Sequence, residues 1–197
     1  TATPSSPVWT DLVDPAPIAL VGLMGSGKTT VGRRLAARLE RPFVDADEAL
    51  EERTGRTVAE IFQADGEEAF RDIETKVLGE LLARTDGPVI ACGGGVVLRL
   101  ANRALLSSPG VTVVWLDAGP AFLASRIERK AHRPLLSGDA TPGEVLTRMH
   151  AERGPLYAEV ADHVVAVEPF HRDEEKPKRA LAARIAELLA APVGGGS

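Results

Sequence analysis

The stretch Gly22-Leu23-Met24-Gly25-Ser26-Gly27-Lys28-Thr29 limits the architecture of this chain more than any other feature. It fits G-x-x-x-x-G-K-[ST] at every fixed position. It stands between a short apolar run, Ile18 to Val21, and a helix-period segment, Thr29 to Leu39. Strand, glycine turn and helix in that order make a cradle for phosphate. The glycines let successive backbone N–H groups turn inward around an anion, and the helix start adds a favourable dipole. Lys28 can reach β- and γ-phosphates, and the Thr29 hydroxyl can ligate Mg²⁺. A glycine-rich turn with a chance lysine is the bland alternative, and it does not account for motif and context together. The expectation is a protein that binds a nucleoside triphosphate with magnesium.

The rest of the chain repeats the alternation that this motif begins. Pro42 to Asp45, Val89 to Cys92, Val111 to Leu116 and Val164 to Val167 are short apolar runs suited to strands. Between them lie helical patterns. Thr57-x-x-Glu60 forms a capping box, Glu67 to Ala83 carries an apolar stripe of Phe70, Ile73, Val77 and Leu81, and Pro120 opens Ala121 to Arg129. Arg179 to Leu189 closes the pattern. Strands that are apolar throughout and separated by helices belong to a parallel sheet covered on both faces. The predicted fold is therefore α/β, a three-layer α/β/α sandwich on a five-stranded parallel sheet. Arg133 to Gly143 breaks the pattern and reads either as a connector or as a mobile lid over a site, about 130–143.

Composition sets outer limits. A chain of 197 residues with 44% apolar and 26% charged residues buries a full core in a single domain, here expected over 18–190. Residues 1–17, rich in Pro, Ser and Thr, read as a flexible extension, and 191–197 as a flexible Gly/Ser tail. The net charge of −5 lacks the global basic field of a nucleic-acid binder. One cysteine, Cys92, excludes an internal disulfide framework. No apolar run reaches the roughly 20 residues that span a bilayer, and the first residues lack a signal-peptide pattern. A cytosolic protein without a membrane partner is expected.

Several side chains beyond the cradle are candidates for chemistry. The guanine motif N-K-x-D and a strand-linked D-x-x-G of regulatory GTPases are both missing from the sequence. The third strand ends in Cys92 and Gly93-Gly94-Gly95 where a magnesium carboxylate is often found. That carboxylate must come from Asp117 or, better placed, Asp45. Asp45 and Asp47 end the second strand, where period-two geometry aims both carboxylates to one side, at the sheet edge where ligands bind. One can serve the metal while the other accepts a proton from a hydroxyl. From spacing alone, an acidic helix start is an equal alternative. Arg71 and Glu74 share a helical face, either as an exposed ion pair or, beside Phe70, as a partly buried clamp for a carboxylate. Three glycines at Gly93–Gly95 form either a tight turn or a close backbone approach to a ligand. Cys92 reads as a buried strand residue, and the four histidines as structural or surface groups.

Taken in order, GLMGSGKT at Gly22–Thr29, VDAD at Val44–Asp47, RTGRTVAEIFQADGEEAFRDIE at Arg53–Glu74, CGGG at Cys92–Gly95, RPLL at Arg133–Leu136 and RGPLY at Arg153–Tyr157 resemble the shikimate kinase family. The resemblance covers Ile18 to about Leu189. It implies transfer of the γ-phosphoryl of ATP to the 3-hydroxyl of shikimate, giving shikimate 3-phosphate and ADP on the route to chorismate and aromatic amino acids. It implies Lys28, Asp47 and Arg133 as catalytic groups and Gly25, Ser26, Gly27, Lys28, Thr29, Thr30, Arg126 and Arg133 around ATP. Thr29 and Asp45 would serve Mg²⁺. Asp47, Arg71, Gly93, Gly94, Gly95 and Arg153 would meet shikimate, with Glu74 orienting Arg71. Val58, Phe62, Glu67, Phe70, Pro134 and Leu135 would line the pocket. The implied protein is a cytoplasmic monomer whose partners are shikimate and ATP. Ala46 stands where the family often has a hydroxyl residue, and the segment after the fifth strand matches no adenine-contacting loop. The enzyme rival is another small-molecule kinase, for gluconate or a nucleoside monophosphate. A silent nucleotide-binding protein is the other rival, against which intact Lys28, Thr29, Asp45 and Asp47 argue.

Overall fold

The computed structural model describes residues 15–128 and 140–190. Residues 1–14 of the expected extension, the greater part of the expected lid, and the expected tail over 191–197 lie outside the described residues. Five strands form one sheet: β1 (Ile18–Val21), β2 (Phe43–Asp45), β3 (Val89–Ala91), β4 (Thr112–Asp117) and β5 (His163–Ala166). Their spatial order is β2-β3-β1-β4-β5, and every neighbouring pair is parallel. The α/β architecture with a five-stranded parallel sheet is as the alternation of apolar runs predicts.

The central position of β1 follows from its composition. Ile18, Ala19, Leu20 and Val21 are all buried, so the strand needs cover on both faces and both edges. Ile18 lies opposite Val89 of β3 on one side and Thr112 of β4 on the other. Parallel neighbours need crossovers, and the helices supply them. They are α1 (Lys28–Leu39), α2 (Ala46–Thr54), α3 (Val58–Leu82), α4 (Leu100–Leu106), α5 (Pro120–Glu128), α6 (Pro142–Val160), α7 (Glu168–Asp173) and α8 (Pro177–Ala190). A 3-10 turn, Val96–Leu98, precedes α4. Helix α1 lies against α8, α2 against α3, α5 against α6, and α6 against the 3-10 turn.

Three boundaries differ from the sequence expectation for identifiable reasons. Helix α3 begins at Val58, with the capping box of Thr57 and Glu60 formed, and runs to Leu82 through one non-helical residue, Gly66 (φ 83°, ψ 175°). Helix α6 begins at Pro142, inside the segment expected as lid. Thr141 accepts from the Glu144 N–H, the Glu144 carboxylate returns to the Thr141 N–H, and Pro142 stands at the first helical position. Helix α2 begins at Ala46, directly after β2.

The sheet delivers three chain segments to its carboxyl edge. Val21 ends β1 beside Trp115, Asp45 ends β2 beside Ala91, and Asp117 ends β4 beside Ala166. Gly22 makes the first turn away from this edge possible. Its φ is +138°, and a Cβ there would fall 2.6 Å from the carbonyl oxygen of Leu116. Backbone cannot yield as a flexible side chain can. Gly22→Ala is expected to cost at least about 1–3 kcal/mol of stability, from strain and overpacking together. Urea unfolding followed by far-UV circular dichroism checks this as a lowered midpoint.

Candidate functional site

The glycine loop and the first turn of α1 build one half of the site. Gly25 and Gly27 have positive φ, and Gly27 is the N-cap of α1 in the left-handed region. Lys28 and Thr29 are the first residues of that helix, followed by Thr30. The Lys28 ammonium donates to the carbonyls of Gly22 at 2.7 Å and Leu23 at 3.1 Å, so the loop closes on its own lysine. Loss of water pulls its pKa down to about 8, while Cys92, Asp47 and Asp45 pull the other way. Ser26 is buried. The Arg126 guanidinium of α5 donates to the Gly25 carbonyl at 2.9 Å and lies over the Phe122 ring, which places it beside the loop.

The Thr29 hydroxyl donates to Asp45 at 2.8 Å. That bond links the glycine-loop helix to the end of β2, and it pairs Thr29 with Asp45 while Asp117 faces His150 at 3.5 Å instead. Asp45 is also the N-cap of α2, accepting from the Asp47 N–H at 3.1 Å. The two carboxylates therefore come together through a strand-to-helix corner. The period-two pleat does not set them, because Ala46 and Asp47 are already helical. The helix-start reading and the site reading of this pair hold at once. Asp47 is open to the cleft, yet the surrounding protein strips it of water. That loss, with Asp45 and Glu74 close by, pushes its pKa up to about 6.

The other half of the site is built around Gly93–Gly95, the turn after β3. The Arg71–Glu74 pair meets it from α3. It is buried, with side chains 10% and 7% exposed, and its contact is 2.8 Å. The reading of this pair as a surface ion pair is thus excluded. Asn102 of α4, fully buried, donates to the same Glu74 oxygen at 3.5 Å. Gly95 makes room for the guanidinium: a Cβ there would fall 2.5 Å from Arg71 Nη2 and 2.6 Å from Nη1. At Gly93 a Cβ would lie 3.0 Å from Glu74 and 3.1 Å from Asp47. From α6, two groups donate to the Gly94 carbonyl: Arg153 at 3.0 Å and the Tyr157 hydroxyl at 2.5 Å. The buried Arg153 Nε has no partner among the described residues. Burial pushes the Tyr157 phenol up, so it stays a donor. Phe62 and Phe70 stack at 4.5 Å, Phe70 buried and Phe62 open to solvent.

Most of the residues singled out in the sequence thus gather at one edge of the sheet. Arg133, Pro134 and Leu135 lie outside the described residues. Burial pushes the Cys92 thiol up to about 12, so it is an inert buried group, as expected. Sequence reasoning left Tyr157 without a role and did not notice Asn102. Tyr157 stands one turn after Arg153, the only local signal it carries. The site can do three things chemically. It offers a phosphate cradle, a carboxylate able to hold a proton near neutral pH, and two guanidinium groups on either side of a turn without side chains. Among the described residues no three His, Cys, Asp or Glu side chains are grouped to hold a metal ion by themselves. Thr29 and Asp45 suit a cation that takes most of its ligands from phosphate oxygens and water, as Mg²⁺ does.

The family model described as shikimate kinase matches residues 24–189. A shikimate kinase of Symbiobacterium thermophilum is 53% identical over 146 residues, 73% of this chain and 82% of that relative. One of Ralstonia nicotianae is 49% identical over 148 residues, covering 75% and 76%. The structure of a shikimate kinase from Acinetobacter baumannii in complex with shikimate superposes with a TM-score of 0.78 at 38% identity, over 90% of this chain and 94% of that one.

Gly95 supplies a direct test of the geometry. Its φ is −103°, which alanine adopts freely, so Gly95→Ala strains only the Arg71 contact. A crystal structure of the variant is expected to show the guanidinium displaced and the Arg71–Glu74 contact lengthened. The thermal midpoint should stay within about 2–4 °C of the parent, the shift that 1 kcal/mol produces in a domain of this size.

Proposed function

This chain belongs to the shikimate kinase family, and from that premise we infer that it transfers the γ-phosphoryl of ATP to the 3-hydroxyl of shikimate. The observation that carries the reading is the turn at Gly93–Gly95, with Asp47 against its first residue and Arg71 and Arg153 against the next two. A small acceptor with a carboxylate at one end and a hydroxyl at the other fits such a set. Arg71 and Arg153 bind the carboxylate, Arg71 held by Glu74. Gly93, Gly94 and Gly95 offer backbone at close range, and Phe62 and Phe70 supply an apolar wall.

Phosphoryl transfer asks the protein for position and charge more than for covalent chemistry. Asp47 accepts the hydroxyl proton as the oxygen attacks phosphorus, and its pKa of about 6 leaves it ionised at neutral pH with a modest barrier to proton transfer. Lys28 leaves the Gly22 and Leu23 carbonyls and meets the β- and γ-phosphate oxygens. Gly25, Ser26, Gly27, Thr29 and Thr30 surround the phosphates through the loop and the first turn of α1. Thr29 and Asp45 are assigned to Mg²⁺, which when bound neutralises charge on the transferring group. Arg126 is assigned to the adenine side of the loop. Arg133, with Pro134 and Leu135, is assigned to the segment that covers the reactants. The single domain is taken to span 18–190 and to act as a cytoplasmic monomer, without nucleic acid or membrane. Among the described residues no helix is long and apolar enough to cross a membrane.

The test is a coupled ADP-release assay with Mg·ATP that compares shikimate, gluconate, quinate and no acceptor. Shikimate-dependent release, with the 3-phosphate identified by phosphorus NMR, is the expected result. Turnover of gluconate and not of shikimate would replace the acceptor assignment. Arg71→Ala is expected to raise the KM for shikimate at least about thirtyfold, the cost of removing one partner of a desolvated charge pair. Lys28→Ala is expected to lower kcat about 10²–10³-fold with any acceptor.

A further inference from the structure

The Arg71 guanidinium carries two carboxylates, Glu74 and Glu67. Its two edges are engaged differently. Nη1 donates to Glu74 at 2.8 Å in the buried pair. Nε and Nη2, the pair of parallel donors that makes a two-pronged bond to a carboxylate, both reach one oxygen of Glu67, at 3.4 and 3.2 Å. The Glu67 side chain is 60% exposed, against 7% for Glu74. It follows Gly66, where the helical path of α3 is interrupted, so it begins the second helical piece. One carboxylate is thus locked in place and the other is held by a single oxygen at the mouth of the pocket, with solvent available to receive it.

We propose that Glu67 is an internal stand-in for the acceptor carboxylate: it holds the Nε/Nη2 edge of Arg71 until an anionic acceptor displaces it, and so sets acceptor affinity and selectivity. This rests on the reading of Arg71 as the acceptor clamp. Charge makes the competition necessary. Arg71 with Glu67 and Glu74 is a cluster of one positive and two negative charges, and Asp47 adds negative charge nearby. A second anion gains little from Arg71 while Glu67 remains on it. An acceptor whose carboxylate can chelate both donors displaces a one-oxygen contact, whereas an uncharged analogue cannot. Glu67 is therefore a positioning residue that competes with an anionic acceptor and reduces its advantage over an uncharged one.

The experiment compares shikimate with its methyl ester as acceptors for the full chain, using the parent, Glu67→Gln and Glu67→Ala. Glutamine keeps an oxygen for Arg71 and removes only the charge. The expected result in both variants is a KM for shikimate lowered about two- to fivefold, the range an ion pair of this exposure supports. The ratio of kcat/KM for shikimate to that for the ester should rise in step, since the ester carries no charge to compete. A KM that rises, or a ratio that stays level, overturns the proposal and makes Glu67 a plain support for Arg71. If the parent itself shows no shikimate-dependent ADP release, the acceptor reading falls, which is a separate outcome from the variants failing to shift the ratio.

Discussion

Everything around the Gly93–Gly95 turn hangs on a charged pair kept almost dry. Burying Arg71 and Glu74 is expensive, and leaving either alone costs about 3–5 kcal/mol. The fold offsets this with more than one contact. Glu74 also meets Asn102 of α4, Arg71 also meets Glu67, and Gly95 withholds a side chain where the guanidinium lies. Helix α3 and the stretch from Gly95 to Asn102 must both be in place before the pair is satisfied. The pair in turn defines where the turn after β3 sits relative to α3.

The phosphate side depends on a different device. The loop after β1 is formed by backbone that only glycine tolerates, and its lysine is satisfied internally by two loop carbonyls. The hydrogen bond from Thr29 to Asp45 is the bridge between the halves. Through it, α1 is tied to the corner from which Asp47 projects, and Asp47 occupies the space that a side chain at Gly93 would need. The sheet keeps these parts in register because β2, β3 and β1 are neighbours, all ending at one edge.

What could be seen in the sequence was whatever local chemistry announces. The strand–loop–helix cradle, the capping box at Thr57 and Glu60, and the all-apolar strands are determined by residues within a few positions of each other. Asp45 and Asp47 could be placed at the right edge, but the means of placing them differs, because an aspartate at the end of a strand is also a good N-cap. Spacing alone left Arg71 and Glu74 undecided, since i,i+3 pairs look alike whether wet or dry. Burial is set by what packs over them, and Asn102 and the Gly95 turn arrive from elsewhere in the chain. The Tyr157 hydroxyl meets Gly94 across 63 residues of chain, a distance no local pattern encodes.

Gly66 gives α3 a division of labour. The piece before it, from Val58 to Asp65, is fixed to the core chiefly by Ile61 and presents Phe62 outward. The piece after it buries Phe70, Val77, Leu78 and Leu81 and carries Arg71 and Glu74. A helix continuous through Gly66 would transmit any change at its outer end into the core as a shift in pitch. An interrupted one does not, and nothing crowds the space around Gly66. The outer piece can therefore take a different side chain at its exposed face with little effect on the packing of the inner piece.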